Sequence, residues 1–190
     1  MHAKISSCSS VLHVPDQAGV GSAAPLVETD MNEVRAVFDA NVFGLLALTQ
    51  AVAPSMMRRR SGTIVNLASV VGFVPTPFAG AYSASKAAVV ALSDTLRLEL
   101  APFGVRVVVV APGAIRSQIG ANNLSRFDGA ALRLYAPFRS AIEARATASQ
   151  GPKSTPAADL ASVVAAEARA RAPVAAWVVE GGLELTPAHF

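Results

Sequence analysis

Three polar residues in the middle of the chain have the types and spacing for proton-transfer chemistry. Tyr82 and Lys86 are four residues apart in a segment with a helical pattern, so their side chains share one helix face. A free phenol has a pKa near 10, and a neighbouring ammonium lowers a phenol's pKa toward neutrality because it stabilises the phenolate. Ser69 ends the preceding strand-like run and can hydrogen-bond a carbonyl oxygen. Together they predict reduction of a carbonyl group, or the reverse reaction.

The Tyr-x-x-x-Lys pattern also has a plain structural alternative. With two tyrosines and three lysines in the chain, such a pair arises in roughly 3% of shuffled sequences. The alternative to a catalytic pair is therefore that Tyr82 and Lys86 have this spacing by chance and share no function. The position of the pair directly after a central strand favours function, since ligands of parallel α/β sheets bind beyond the carboxyl ends of the strands.

The elements that must position these residues alternate between strands and helices. Asp30 and Glu33 form a capping-box pattern before a helix of roughly 25 residues from Met31, which Pro54 is expected to end or kink. Two helical pieces are expected between residues 113 and 150. Strands are predicted at 11–14, 63–68, 105–110 and 174–179, and further helices at 81–100 and 156–171. This alternation predicts an α/β fold with a doubly wound parallel sheet.

Composition restricts the class of protein. The 190 residues are 52% hydrophobic and 15% charged, which indicates one globular domain and excludes intrinsic disorder. The single Cys8 and the scattered histidines predict no metal site. The net charge of +3 comes without interleaved aromatic residues, so nucleic acid is not expected as a partner. No uninterrupted apolar run reaches the ~18 residues of a membrane span, and a cytoplasmic location is expected.

Four segments carry a family resemblance beyond the Tyr–Lys pair. They are FDANVFG with Asn41, TIVNLASVVG with Ser69, AYSASK with Tyr82 and Lys86, and APGAIRS with Pro112 and Gly113. Together they resemble the short-chain dehydrogenase/reductase family, from about Val11 to the final strand. Ser69 lies thirteen residues before Tyr82, as in that family. The resemblance implies a Rossmann-like fold.

The resemblance also implies a role for each catalytic candidate. Tyr82 would be the proton donor or acceptor, Ser69 would orient the carbonyl, and Lys86 would bind the nicotinamide ribose and lower the tyrosine pKa. Asn41 would anchor a water of the proton relay; its alternative is an amide on a helix face that caps a loop. The implied cofactor is NADP(H), with NAD(H) as the alternative, and the implied partner is a small-molecule carbonyl substrate.

Two further segments match cofactor-binding positions of the family. The segment after the third strand flanks the nicotinamide in the family, and here it contains Pro112, Gly113, Ile115 and Ser117. Ser117 stands where the family often has Thr. Ala18 and Gly19 match the family segment beside the adenine ribose, whereas the two residues before them depart from it. A simple turn remains the alternative for Pro112-Gly113.

A narrower resemblance concerns the substrate. The runs SDTLRLELAPFGV, PGAIRSQIG and LYAPFRSAIEARATASQ are similar to the NADPH-dependent 1-acyldihydroxyacetone-phosphate reductase branch of the family. That branch implies lipid metabolism and a location at the endoplasmic reticulum or lipid droplets as an alternative to a free cytoplasmic one. A guanidinium suits a phosphate, and the candidates are Arg116, Arg133, Arg139 and Arg145. Solvated helix faces are the alternative for each of them.

The beginning of the chain departs from the family pattern. Residues 19–24 match G-x-G-x-x-A, but Pro25 follows and the helix is expected only near Met31, so we do not interpret them as a dinucleotide fingerprint. We expect a partial domain without its first three strand-helix units: a catalytic half at 11–120, a substrate-covering section at 121–155, and a last helix and strand at 156–180. Weak dinucleotide binding is then expected. The alternative function is a catalytically incompetent chain that only associates with other subunits, and the two long helices are where the family pairs subunits.

Overall fold

The computed structural model of the chain describes residues 11–13, 20–116, 122–123, 132–169, 176–179 and 185–187. In chain order its strands are β1 Val11–His13, β2 Gly62–Leu67, β3 Val105–Pro112, β4 Ile115–Arg116, β5 Thr155–Pro156, β6 Ala176–Val179 and β7 Leu185–Pro187. The main sheet has the order β1-β2-β3-β6-β7, and its first four strands are parallel, as predicted. The short β7, which is antiparallel to β6, and the separate β4–β5 pair were not predicted from the sequence.

Helices cover both faces of the sheet. They are α1 Met31–Phe38, α2 Gly44–Arg58, α3 Gly80–Leu100, α4 Arg139–Ala146 and α5 Ala157–Arg169. Ile64 and Val107 pack with Met56 of α2 on one face, whereas Val65 and Val108 pack with α5 on the other. Neighbouring strand residues face opposite sides of a sheet, so both faces of β2 and β3 are buried. The α/β doubly wound fold class is thereby confirmed.

The first long helix begins where its cap predicts. The Asp30 carboxylate accepts a hydrogen bond of 2.6 Å from the Asn32 backbone N–H, which satisfies one of the free N–H groups of the first turn. Glu33, the other residue of the capping-box pattern, instead accepts a hydrogen bond from the Ser22 hydroxyl at 2.8 Å. The start of the helix is thus tied to the loop that precedes it.

Pro54 does not end this helix, so of the two outcomes expected at Pro54 the helix end is wrong, and the kink stays a prediction. Helix α2 continues to Arg58. Proline removes one helix hydrogen bond and crowds the carbonyl four residues earlier, but the buried Ala53 and Met56 pack the last turns against the sheet. The regular α-helix is interrupted earlier, at Asp39–Phe43, by a π turn in which the Gly44 N–H donates to the Asp39 carbonyl.

By length and hydropathy, one helical stretch of the described residues could cross a membrane. It is Met31–Arg58, with 28 residues and a mean hydropathy of 1.5 over its most apolar window. Core helices of soluble proteins pass the same test, so this is weak evidence for a span. In this fold Ala53 and Met56, from the same stretch, pack on β2 and β3.

Candidate active site

Ser69 lies at the carboxyl end of β2, beside the carboxyl end of β3. The Ala68 N–H donates to the Val110 carbonyl at 2.7 Å, and Ser69 follows with an extended backbone. Its hydroxyl donates to the Pro112 carbonyl and accepts from the Val71 N–H, both at 3.4 Å. Because both bonds are long, the hydroxyl is weakly held. It lies at the edge where parallel sheets bind their ligands.

Helix α3 places Tyr82 and Lys86 together, as their spacing predicts. The Lys86 ammonium lies 5.7 Å from the centroid of the Tyr82 ring, within the range of a cation–π contact. Lys86 is only 1% exposed, whereas Tyr82 is half-buried. A buried positive charge therefore lies next to a phenol that solvent can reach.

Lys86 also connects α3 to β2. Its ammonium donates to the Leu67 carbonyl at 2.9 Å, two residues before Ser69. A buried charge requires hydrogen-bond acceptors, because an unpaired one is very costly. Through this bond the lysine fixes the helix of Tyr82 relative to the strand that leads to Ser69.

Gly72 allows the turn after Ser69 to lie directly on α3. A Cβ at this position would come within 3.0 Å of the Lys86 carbonyl carbon and 3.1 Å of the Ala87 nitrogen. Those atoms belong to a helix backbone and cannot move aside easily. Sequence reasoning did not identify Gly72 as a site residue; a glycine three residues after the serine was the available signal.

Asn41 lies in the π turn and is buried. Its side-chain oxygen accepts from the Val20 N–H at 2.9 Å, and its amide donates to the Val20 carbonyl at 3.0 Å. The amide also donates to the Ser85 hydroxyl at 3.0 Å. The side chain thus binds the loop before α1, in line with the capping alternative, and the role of Asn41 in a proton relay stays a prediction.

Ser85 joins Asn41 to the tyrosine, and sequence reasoning missed it. Its hydroxyl donates to the Tyr82 carbonyl at 2.7 Å, accepts from Asn41, and is fully buried. A serine three residues after the tyrosine on the same helix was the signal, since such hydroxyls bond back to the preceding turn. The bond links the π turn to the first turns of α3.

The segment after β3 lies at the same edge of the sheet. Pro112, Gly113 and Ile115 are half-buried, and the Thr155 N–H donates to the Ala114 carbonyl at 2.9 Å. The pairing of Ile115 with Thr155 holds this segment in place. Ser69 contacts its beginning through the Pro112 carbonyl, so the predicted nicotinamide-flanking residues lie beside the predicted catalytic serine.

Comparison with known proteins identifies the family. The sequence model described as short chain dehydrogenase matches residues 10–126, which span all four catalytic candidates. The chain belongs to the short-chain dehydrogenase family. The family assignment agrees with the resemblance drawn from the motifs.

Individual relatives agree with this assignment. The NADPH-dependent 1-acyldihydroxyacetone phosphate reductase of Schizosaccharomyces pombe is 38% identical over 136 residues, which are 70% of this chain and 46% of that protein. A short-chain dehydrogenase from Sphingobium yanoikuyae, solved in complex with NADPH, is 35% identical with a TM-score of 0.56, over 60% of this chain and 44% of that one. NAD+-bound xylitol dehydrogenase is 25% identical with a TM-score of 0.69, over 91% and 68%. The chain thus spans about half the length of the curated relatives it matches, or less.

Several predicted positions cannot be placed in this short-chain dehydrogenase fold. Ala18, Gly19 and Ser117 lie outside the described residues.

The G-x-G-x-x-A run at residues 19–24 is not followed directly by an α-helix. After Pro25 comes a single 3-10 turn, and α1 starts at Met31. The helix thus begins where the sequence predicts, and our interpretation that this run is not a dinucleotide fingerprint stays a prediction.

The four candidate arginines differ in their surroundings. Arg145 donates to the Thr76 hydroxyl at 3.1 Å, in the loop between Ser69 and Tyr82. Arg139 pairs with Glu143 at 3.0 Å on the surface of α4, and the side chains of Arg116 and Arg133 are exposed. Only Arg145 thus has a described contact with the loop that joins the catalytic candidates.

Across the described residues, no group of three or more His, Cys, Asp or Glu side chains could hold a metal ion.

Proposed function

We propose that this chain is an NAD(P)H-dependent oxidoreductase that reduces a ketone. The observation that carries the proposal is the buried Lys86 ammonium 5.7 Å from the ring of the half-buried Tyr82. The arrangement suits a phenol that gives up a proton, because the nearby positive charge stabilises the phenolate that remains.

Two hydroxyl groups would act on the substrate. The Tyr82 hydroxyl donates its proton to the carbonyl oxygen as the bond order of the carbonyl falls. The Ser69 hydroxyl, whose two hydrogen bonds to described residues are both long, donates a hydrogen bond to the same oxygen and orients it.

The residues present fit the nicotinamide ribose end of a dinucleotide. The Lys86 ammonium and the Tyr82 hydroxyl are donors for sugar oxygens, and the half-buried Pro112 and Ile115 offer apolar contact at the same edge. When bound, the reduced nicotinamide supplies a hydride to the carbonyl carbon. We favour NADP(H) because the S. pombe relative is named for NADPH, and NAD(H) is the alternative because xylitol dehydrogenase binds NAD+.

For the substrate we propose an acylated ketone phosphate. The support is the similarity to the S. pombe reductase together with the half-buried Arg145 beside the loop from Ser69 to Tyr82. Exposed Leu134 and Phe138 on the neighbouring segment offer apolar contact for an acyl chain. Turnover of an acyldihydroxyacetone phosphate should exceed that of an uncharged ketone of equal length, and equal rates would contradict this assignment.

We also propose that two copies pair through the long helices. Four large apolar side chains on these helices are exposed, namely Met31, Phe43, Leu48 and Leu98. Burial of such side chains is the main driving force for association between subunits. Analytical ultracentrifugation of the chain should detect a dimer or tetramer, and a monomer at high concentration would contradict the pairing.

The decisive experiment replaces the phenol without changing its ring. Tyr82→Phe should lower ketone-dependent NADPH oxidation by at least about 100-fold, with an unchanged circular dichroism spectrum. Thr95→Val is the matched control, because it removes an exposed hydroxyl from the same helix and should leave turnover unchanged. If the natural chain neither binds NADPH at millimolar concentration nor turns over, the non-catalytic alternative that acts through other subunits replaces this proposal.

A further inference from the structure

Glu28 makes a long-range contact that the catalytic candidates do not explain. Its carboxylate oxygens accept hydrogen bonds from the backbone N–H groups of Arg133 and Leu134, at 3.0 and 2.8 Å. The two partners are more than 100 residues later in the chain. One carboxylate thus receives two consecutive backbone donors, an arrangement typical of anion recognition by a peptide segment.

The segment that Glu28 holds also contacts the loop between Ser69 and Tyr82. The Tyr135 ring lies edge-on to the Phe78 ring, with centroids 6.2 Å apart. At the far end of α4, Arg145 donates to Thr76 of the same loop. We name residues 132–150 the cover segment and the loop between Ser69 and Tyr82 the site loop. The cover segment therefore contacts the site loop at two points and Glu28 at a third.

The loop that the cover segment contacts is itself under conformational constraint. Phe78 has a positive φ of 62°, a region that residues other than glycine seldom adopt. Its carbonyl accepts from the Ala24 N–H at 3.0 Å, four residues before Glu28. The loop before α1 that contains Glu28, the loop between Ser69 and Tyr82, and the cover segment thus form one connected unit.

We propose that Glu28 is a positioning residue that fastens the cover segment over the site loop and thereby sets the affinity for substrate, not the rate of the chemical step. The expected effect on substrate affinity rests on the proposed function, whereas the fastening of the cover segment by Glu28 does not. Glu28 has no described contact with Ser69, Tyr82 or Lys86, so its effect on the reaction passes through residues 133–135. Removal of the carboxylate should raise KM and leave kcat nearly unchanged.

Limited proteolysis tests the fastening without any activity. Trypsin cleaves after arginine and can therefore cut the Arg133–Leu134 bond. The backbone N–H groups of both residues bind the Glu28 carboxylate. Glu28→Gln should raise the rate of cleavage at this bond roughly fivefold, because an amide keeps only one acceptor oxygen. Glu99→Gln, which neutralises an exposed carboxylate on α3, is the matched control and should leave the rate unchanged. Equal cleavage of all three proteins would overturn the proposal.

A second pair of variants removes a donor instead of the acceptor. Leu134→Pro deletes the N–H that binds Glu28, whereas Leu134→Ala keeps it and removes the same exposed side chain. Because trypsin does not cleave an Arg–Pro bond, this pair of variants is compared by chymotrypsin cleavage after Tyr135. Only the proline variant should match Glu28→Gln in that cleavage rate, and the double variant should be no more sensitive than either single one. Additive effects would mean that the two residues act independently and would overturn the proposal.

Kinetics then separate this inference from the proposed function. Glu28→Gln should raise KM for the ketone roughly fivefold with kcat within about twofold of the natural chain. A fall in kcat alone would overturn the positioning role. A natural chain without any turnover would refute the proposed function, while the proteolysis result would still decide whether Glu28 fastens the cover segment.

Discussion

The Lys86 ammonium donates a 2.9 Å hydrogen bond to the Leu67 carbonyl, and this bond connects the helix of Tyr82 to the strand that leads to Ser69. The same ammonium lies 5.7 Å from the Tyr82 ring centroid. One buried side chain therefore has both a structural and an electrostatic part in the candidate site.

Loss of the Lys86 charge should abolish most of the activity. Lys86→Met keeps a long apolar stem but removes the ammonium, so the phenolate of Tyr82 loses its stabilising charge. We expect turnover to fall by about 100-fold or more, measured as NADPH oxidation at saturating ketone. Lys153→Met removes an exposed ammonium and should have no effect. Retention of half the activity by Lys86→Met would contradict the proposed role.

A methyl group at position 72 should destabilise the fold. Gly72→Ala would place its Cβ 3.0 Å from the Lys86 carbonyl carbon, which forces the turn away from α3. The free energy of unfolding should fall by about 1–3 kcal/mol, measured in urea. At Gly151 the nearest atom to an added Cβ is the Ala148 carbonyl oxygen at 3.9 Å, so Gly151→Ala should be neutral or slightly stabilising. Equal stability of the two variants would contradict the close approach at Gly72.

Two serines of α3 that are two residues apart should respond differently to alanine. Ser85→Ala removes the hydroxyl that bonds to Asn41 and Tyr82, leaving buried groups unsatisfied at a cost of about 1–3 kcal/mol. The Ser83 hydroxyl is also buried, but it has no hydrogen-bond partner among the described residues. Ser83→Ala should therefore be neutral or stabilising in thermal unfolding, and a larger loss at Ser83 than at Ser85 would refute this interpretation.

The contact of Glu28 with the cover segment should weaken in acid. Hydrogen bonds from the Arg133 and Leu134 N–H groups, together with the Arg133 charge, hold the pKa of Glu28 below its ordinary value of 4.5. Because the folded pKa is the lower one, the stabilisation is present above pH 4.5 and is lost as the pH falls through the lowered value. Hydrogen exchange of the Leu134 amide, corrected for intrinsic rates, should lose protection in that range. In Glu28→Gln, protection should be low and independent of pH there.

The sequence predicted those parts of the site that depend on local periodicity. Tyr82 and Lys86 share a helix face because of their spacing, and the parallel strands place Ser69 and Pro112 at one edge. The contact of Glu28 with Leu134 could not be predicted, because it joins a turn to a segment more than 100 residues away and leaves no pattern in either. Its physical origin is the packing of three loops, which no single segment specifies.

Backbone irregularities were equally hidden. The continuous apolar pattern from Met31 gave no indication of the π turn at Asp39–Phe43, in which Asn41 bonds to Val20 and Ser85. Of the two outcomes expected at Pro54, an end of the helix is wrong, since the burial of Met56 favours continuation to Arg58 despite one lost hydrogen bond.

The π turn also changes the angular register of the helix that contains it. A regular α-helix advances about 100° per residue, so the extra residue of a π turn rotates the turns before it by about that angle relative to the turns after it. Val37, before the turn, and Thr49, after it, are both buried. Val37 and Thr49 are twelve residues apart, so an uninterrupted α-helix would place them about 120° apart around its axis, whereas the π turn absorbs one residue's rotation and leaves them about 20° apart. The irregularity therefore gives the two halves of this stretch one continuous buried side.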